Sequence, residues 1–151
     1  MLVILDSILN RIIANRKKGK QTFVFIDEIY ILFMHEYSAQ FLFKLWKRVR
    51  KYGAYCTGLT QNVEDLLQSH TARTMLSNSE FIIMLNQAAT DRDELAKLLN
   101  ISDQQLSFIK NVSAGCGLIK VGSSLVPFEN NFPKNTRLYR LMTTKPNDDF
   151  R

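Results

Sequence analysis

The chain has 151 residues, 46% of them apolar and 23% charged, an ordinary globular balance that supports one compact domain with its own core and excludes a disordered or fibrous protein. Its net charge of +6 suits a polyanion such as nucleic acid or an anionic membrane face, although a modest lysine excess is also what a solvated surface carries. Cys56 and Cys116 lie in apolar stretches without partners at metal-ligand spacing, which points to reduced thiols in a cytosolic protein and sets a structural zinc site aside. The longest apolar run near the start, Leu2 to Leu5, is far short of the roughly 20 residues that span a bilayer, and no basic segment precedes it as in a secretory signal.

Taken in order, residues 2 to 16 put Leu2, Leu5, Leu9, Ile12 and Ile13 on one helical face, and Arg16, Lys17, Lys18, Gly19 and Lys20 supply the cations and glycine of a helix end. Thr22 to Ile26 reads Thr-Phe-Val-Phe-Ile, a continuous run expected to be buried on both faces of a parallel sheet. From Ser38 to Tyr52 an apolar stripe of Phe41, Leu42, Leu45, Trp46 and Val49 runs beside a basic one of Lys44, Lys47, Arg48 and Lys51, predicting a helix packed on a sheet and stopped by Gly53. Ala54 to Thr60, Phe81 to Leu85 and Gly117 to Val121 are further strands. Two capped helices are predicted between the last two, one starting from Thr90 with Asp93 and one from Ser102 with Gln105. The alternation argues an α/β fold with a mostly parallel sheet flanked by helices. One domain is expected over residues 1–142 and a loose tail over 143–151, where periodicity ends.

The chemistry concentrates at Phe23-Val24-Phe25-Ile26-Asp27-Glu28, four apolar strand residues ending in adjacent carboxylates. Ligands of open α/β sheets bind beyond the carboxyl ends of the strands. Phosphoryl transfer needs one carboxylate near magnesium, usually through water, and a second group to orient or deprotonate the attacking water. Asp27 fits the first role and Glu28 the second, although a strand simply ending in an acidic turn is also common. Tyr55 to Gln61 ends in an uncharged amide able to hydrogen-bond a γ-phosphate or its attacking water. Arg50 falls four residues after Trp46 and seven after Phe43, off the basic stripe and near the packed flank. From there it reads either as an arginine finger toward an adjoining copy or as a surface charge at a helix end.

Phe-Ile-Asp-Glu, then Arg-Lys-Tyr-Gly-Ala before a strand ending Thr-Gly-Leu-Thr-Gln-Asn, then Asn-Ser-Glu-Phe-Ile-Ile-Met-Leu-Asn-Gln together resemble the conjugative-transfer ATPases of type IV secretion systems, the VirB-four/TraE-like class of the HerA/FtsK-like motors. Gly117 to Phe128 looks like the C-terminal hairpin of the Gram-positive branch found on integrative conjugative elements. The resemblance runs from about Thr22 to Lys145. It implies a RecA-like domain, with Asp27 and Glu28 as the Walker B pair, Asp27 toward magnesium, Gln61 as the sensor amide and Arg50 as the arginine finger. A further arginine that the family carries after the sensor falls on Arg73 or Arg92, and either also reads as a solvated helix charge.

The resemblance further implies ATP and magnesium as cofactors of the parent protein, a homo-hexamer, other type IV secretion subunits and possibly DNA as partners, and a cytoplasmic site at the inner face of the membrane. The family's phosphate-binding loop, Gly-x-x-x-x-Gly-Lys before Ser or Thr, does not occur in the 151 residues: Gly19-Lys20 is followed by Gln21, with Ala14 where the first glycine belongs. The chain is therefore expected to begin after that loop, as a fragment or truncated product, leaving the RecA-like sheet incomplete and binding nucleotide weakly by itself. A non-enzymatic secretion module is the alternative reading. A nucleic-acid-binding domain ranks after it, suggested by the basic helix and by a helix-turn-helix look to Leu99 to Leu106.

Overall fold

The structure, a computed structural model, describes residues 2–143. Helix α1 (Leu2–Lys17) ends in Arg16 and Lys17, cations that suit the negative end of its dipole, and Gly19 turns the chain out at φ 67°. Strand β1 (Thr22–Ile26) is followed by the single turn α2 (Tyr30–Phe33) and by α3 (Glu36–Arg48). Ser38, buried at the start of α3, donates its hydroxyl to the Leu32 carbonyl at 2.5 Å and so ties α3 to α2. The last turn of α3 tightens into a 3-10 segment, Val49–Tyr52, and Gly53 closes it in the left-handed region.

Strand β2 (Ala54–Gly58) then pairs with β1 in parallel, Thr22 opposite Ala54 and Ile26 opposite Gly58. Two short helices follow, α4 (Val63–Gln68) and α5 (His70–Ser77), capped by the side chains of Asn62 and Ser69. Beyond them lie β3 (Phe81–Met84), α6 (Ala89–Leu99), α7 (Asp103–Leu106) with a 3-10 turn, β4 (Cys116–Val121), β5 (Ser124–Glu129) and α8 (Arg137–Met142).

The α/β class holds, but the parallel order stops at the first pair. β3, β4 and β5 form a separate antiparallel sheet. Its geometry is fixed locally: Gly122, at φ 56°, makes the two-residue turn between β4 and β5, and its N–H also binds the Glu80 carbonyl at 3.0 Å beside the start of β3. Gly117 lets the strands close up, since a Cβ there would stand 2.2 Å from the Met84 carbonyl oxygen.

Three apolar clusters hold these parts. Ile12 of α1 meets Leu45, Val49 and Ala54; Ile29 and Leu42 meet Leu66, Ala72 and Met75; and Val63, Leu67, Ile82, Met84, Leu95, Leu99, Ile101, Ile109 and Leu118 form the largest. The expectation that β1 is buried on both faces fails. Its burial alternates, leaving Phe23 and Phe25 61% and 69% exposed, because no described element covers that face. Phe81 and Ile83 are bare in the same way on β3.

Two smaller expectations also change. Thr90 does not cap α6, which starts from Ala88 without a side-chain bond, whereas Ser102 and Gln105 form the reciprocal capping box. The helix-turn-helix look of Leu99 to Leu106 dissolves, since α7 is one turn long and runs into the 3-10 segment, leaving no recognition helix. Of the predicted tail over 143–151, all but Thr143 lies outside the described residues.

Candidate functional site

The parallel register of β1 and β2 brings both strands to a common carboxyl rim. Leu59 locks it: its N–H donates to the Ile26 carbonyl at 2.8 Å, and its own carbonyl accepts from the Ile29 N–H at 2.9 Å. Asp27 and Glu28 form the turn held between those two bonds. Gly58 permits the closeness, because a Cβ there would lie 2.6 Å from Ile29 Cδ1, and Ile29 is buried. A glycine closing a strand is the signal that the sequence carries for this contact.

Within the turn the two acids differ. Asp27 is exposed and its Oδ1 accepts from the Glu28 N–H at 3.0 Å. Glu28 adopts φ 48°, in the left-handed region where residues other than glycine are uncommon, and its Oε2 is buried with no hydrogen-bond partner. Strain and an unsatisfied buried oxygen on one residue are a costly combination, of the kind that concentrates at functional sites.

Gln61 lies three residues past Gly58 on the same rim. The Thr60 hydroxyl accepts from the Asn62 N–H at 3.1 Å, and Asn62 Oδ1 accepts from the Asp65 N–H at 3.0 Å as α4 begins. Gln61 is thus held between two side-chain-locked residues while its own amide is exposed.

Arg50 is elsewhere. It precedes β2, and the bonds from Gly53 N–H to its carbonyl and from Thr22 N–H to the Gly53 carbonyl put it at the amino rim of the parallel pair. The strand length of five residues separates it from the acids, about 16 Å of extended chain. Arg50 is exposed, lines a cleft with Phe43, Trp46, Lys47, Met75 and Asn78, and forms no ion pair among the described residues. Arg73 pairs with Glu94 at 3.4 Å and donates to the Leu67 carbonyl, and Arg92 donates to the Gln87 carbonyl at 2.9 Å. Both are bonded to the fold's own groups.

On the inner face of β2, burial pushes the Cys56 thiol up to about 11. It packs among the apolar side chains between α1 and α3. No helix among the described residues is long and apolar enough to cross a membrane.

The chain resembles known proteins at two levels. A family model described as the TraG P-loop domain matches residues 1–116. The solved structure of VirB4 of Thermoanaerobacter pseudethanolicus aligns with a TM-score of 0.75 at 24% identity, over 83% of this chain and 34% of that one, so this chain spans about a third of its length. No curated protein matches. The resemblance to conjugative-transfer ATPases read from the motifs thus agrees with an independent family match over more than two thirds of the sequence, and the chain belongs to the TraG P-loop domain family.

Proposed function

We propose that this chain is part of an ATP-hydrolysing motor of a conjugation or type IV secretion apparatus, acting with a phosphate-binding loop that its own 151 residues do not contain. The reading rests most on Glu28, whose left-handed backbone and unpartnered buried Oε2 stand beside the Gln61 rim of the parallel neighbour. A carboxylate oxygen that accepts no hydrogen bond from the fold keeps its acceptor capacity for a water molecule brought in with the nucleotide.

In this reading Glu28 takes the proton of the attacking water and Gln61 orients that water through its free amide. Asp27 faces solvent, as a carboxylate that reaches a cation through water would. When bound through water at Asp27, magnesium would supply positive charge against the negative charge that builds during phosphoryl transfer. Arg50, a strand length away at the amino rim, serves an adjoining copy rather than its own acids, which suits head-to-tail association into a ring. Coupling of hydrolysis to channel assembly or to DNA or protein transfer, a hexameric parent on an integrative element, and a station at the cytoplasmic face of the membrane belong to the same proposal.

The test uses a protein in which this segment is joined to a phosphate loop. Glu28→Gln should lower ATP turnover about a hundredfold or more while leaving nucleotide affinity within a few fold, the signature of a lost general base. Turnover that survives the substitution would remove Glu28 from the chemistry.

A further inference from the structure

Unlike the two acids on its rim, Gln61 is held by no bond of its own. Among the described residues neither its backbone nor its amide makes a hydrogen bond, and its side chain is exposed. The residues on either side are fixed instead. On the strand side, Leu59 is bonded through Ile26 and Ile29 to both flanks of the turn that carries Asp27 and Glu28. On the helix side, Asn62 accepts from the Asp65 N–H at 3.0 Å and donates to the Asp65 carboxylate at 2.6 Å. Helix α4 behind it seats Val63, Leu66 and Leu67 in the core.

Thr60 connects these anchors across Gln61. Its half-buried hydroxyl donates to the Asn62 carbonyl at 3.2 Å and accepts from the Asn62 N–H at 3.1 Å. An oxygen that both gives and takes on the residue beyond Gln61 fixes the peptide group leaving Gln61, and with it the direction in which that side chain departs from the backbone. Serine offers the same two bonds. Valine, of the same shape as threonine, offers neither.

We infer that Thr60 is a positioning residue, whose hydroxyl fixes the backbone of Gln61 so that the free amide is presented at the rim shared with Glu28. The inference rests on the ATP-hydrolysis reading, which is what gives the amide a water to orient. Thr60 touches neither that water nor the nucleotide and acts through Gln61. Orientation of an attacking group is where small misplacements are most strongly felt in rate.

The test follows steady-state ATP turnover in the protein joined to a phosphate loop, for Thr60→Val, Thr60→Ser, Gln61→Ala and the double variant, each checked for folding by circular dichroism. Thr60→Val should lower kcat about tenfold with KM within about twofold, because the water is misoriented while nucleotide contacts stay. Thr60→Ser should keep most of the wild-type rate. Adding Thr60→Val to Gln61→Ala should change kcat by less than about twofold, since a residue that acts only through Gln61 has nothing left to act on. Independently of turnover, hydrogen–deuterium exchange at the Asn62 amide of the nucleotide-free protein should quicken about fivefold in Thr60→Val, as for one lost hydrogen bond, and stay unchanged in Thr60→Ser.

Wild-type turnover in Thr60→Val, a Thr60→Ser protein as slow as Thr60→Val, or unchanged Asn62 exchange in Thr60→Val would each overturn the inference. Losses that multiply in the double variant would also overturn it, leaving Thr60 as a stabiliser of α4 alone. Failure of the underlying reading has a different signature: Gln61→Ala would then turn over ATP at the wild-type rate, which removes the amide from the reaction and the inference with it.

Discussion

At the scale of single residues, Gly58 and Glu28 carry the account. Gly58→Ala drives a methyl into the buried Ile29 side chain, so we expect about 1–3 kcal/mol of destabilisation by denaturant unfolding, with the loss concentrated next to the Asp27–Glu28 turn. Cys56 gives a pH prediction with a definite sign. Its thiol is held protonated in the folded chain to about 11 against 9.0 in the unfolded one, so the folded state binds more protons between those values. Stability should therefore fall as pH rises from about 9 to 11 and flatten above, a slope that Cys56→Ala removes in thermal melts at stepped pH. The types of the acidic and amide residues are legible in the sequence, because an apolar strand ending in carboxylates is a local pattern. The left-handed turn at Glu28 and the orphaned oxygen are not, since both arise from bonds to Leu59, thirty-one residues further along.

Among the elements, those with strong periodicity or strong caps were readable. Thr22 to Ile26 is β1 with both ends as expected, and the capping box at Ser102 opens α7 where the hydroxyl and amide spacing put it. Ser102→Ala should cost about 1 kcal/mol of stability, measured by urea denaturation, with little effect at the distant acidic rim. The helices α4 and α5 are not legible from periodicity, because each is short and its signal lies in a cap, Asn62 or Ser69, rather than in a repeating stripe. Sheet direction after β2 departs from the expected parallel order for a different reason. A strand's own residues do not encode which neighbour it will meet, and the antiparallel arrangement is set by Gly117 and the Gly122 turn.

For the whole molecule, the two sheets share one property. Large apolar side chains stand exposed on β1, β2 and β3, among them Phe23, Phe25, Tyr55, Phe81 and Ile83, and Phe23 stacks on Tyr55 at 5.1 Å with no described element covering the pair. Apolar sheet surface on this scale calls for a covering layer. The 151-residue chain alone is accordingly expected to self-associate in a concentration-dependent way by analytical ultracentrifugation, and to bind ATP weakly. The separation of Arg50 from Asp27 and Glu28 across the parallel pair makes the molecule polar at this scale, with two carboxylates on one rim and a guanidinium without an ion-pair partner among the described residues on the other.

That polarity is the central claim, and subunit mixing in a protein that also carries the phosphate loop tests it most directly. Glu28→Gln and Arg50→Ala variants, each nearly inactive when assembled alone, should regain ATP turnover when co-assembled, because some junctions then join an intact Glu28 to an intact Arg50 from the adjoining copy. A mixture as inactive as either parent, or an Arg50→Ala protein that turns over ATP at the wild-type rate, would contradict it.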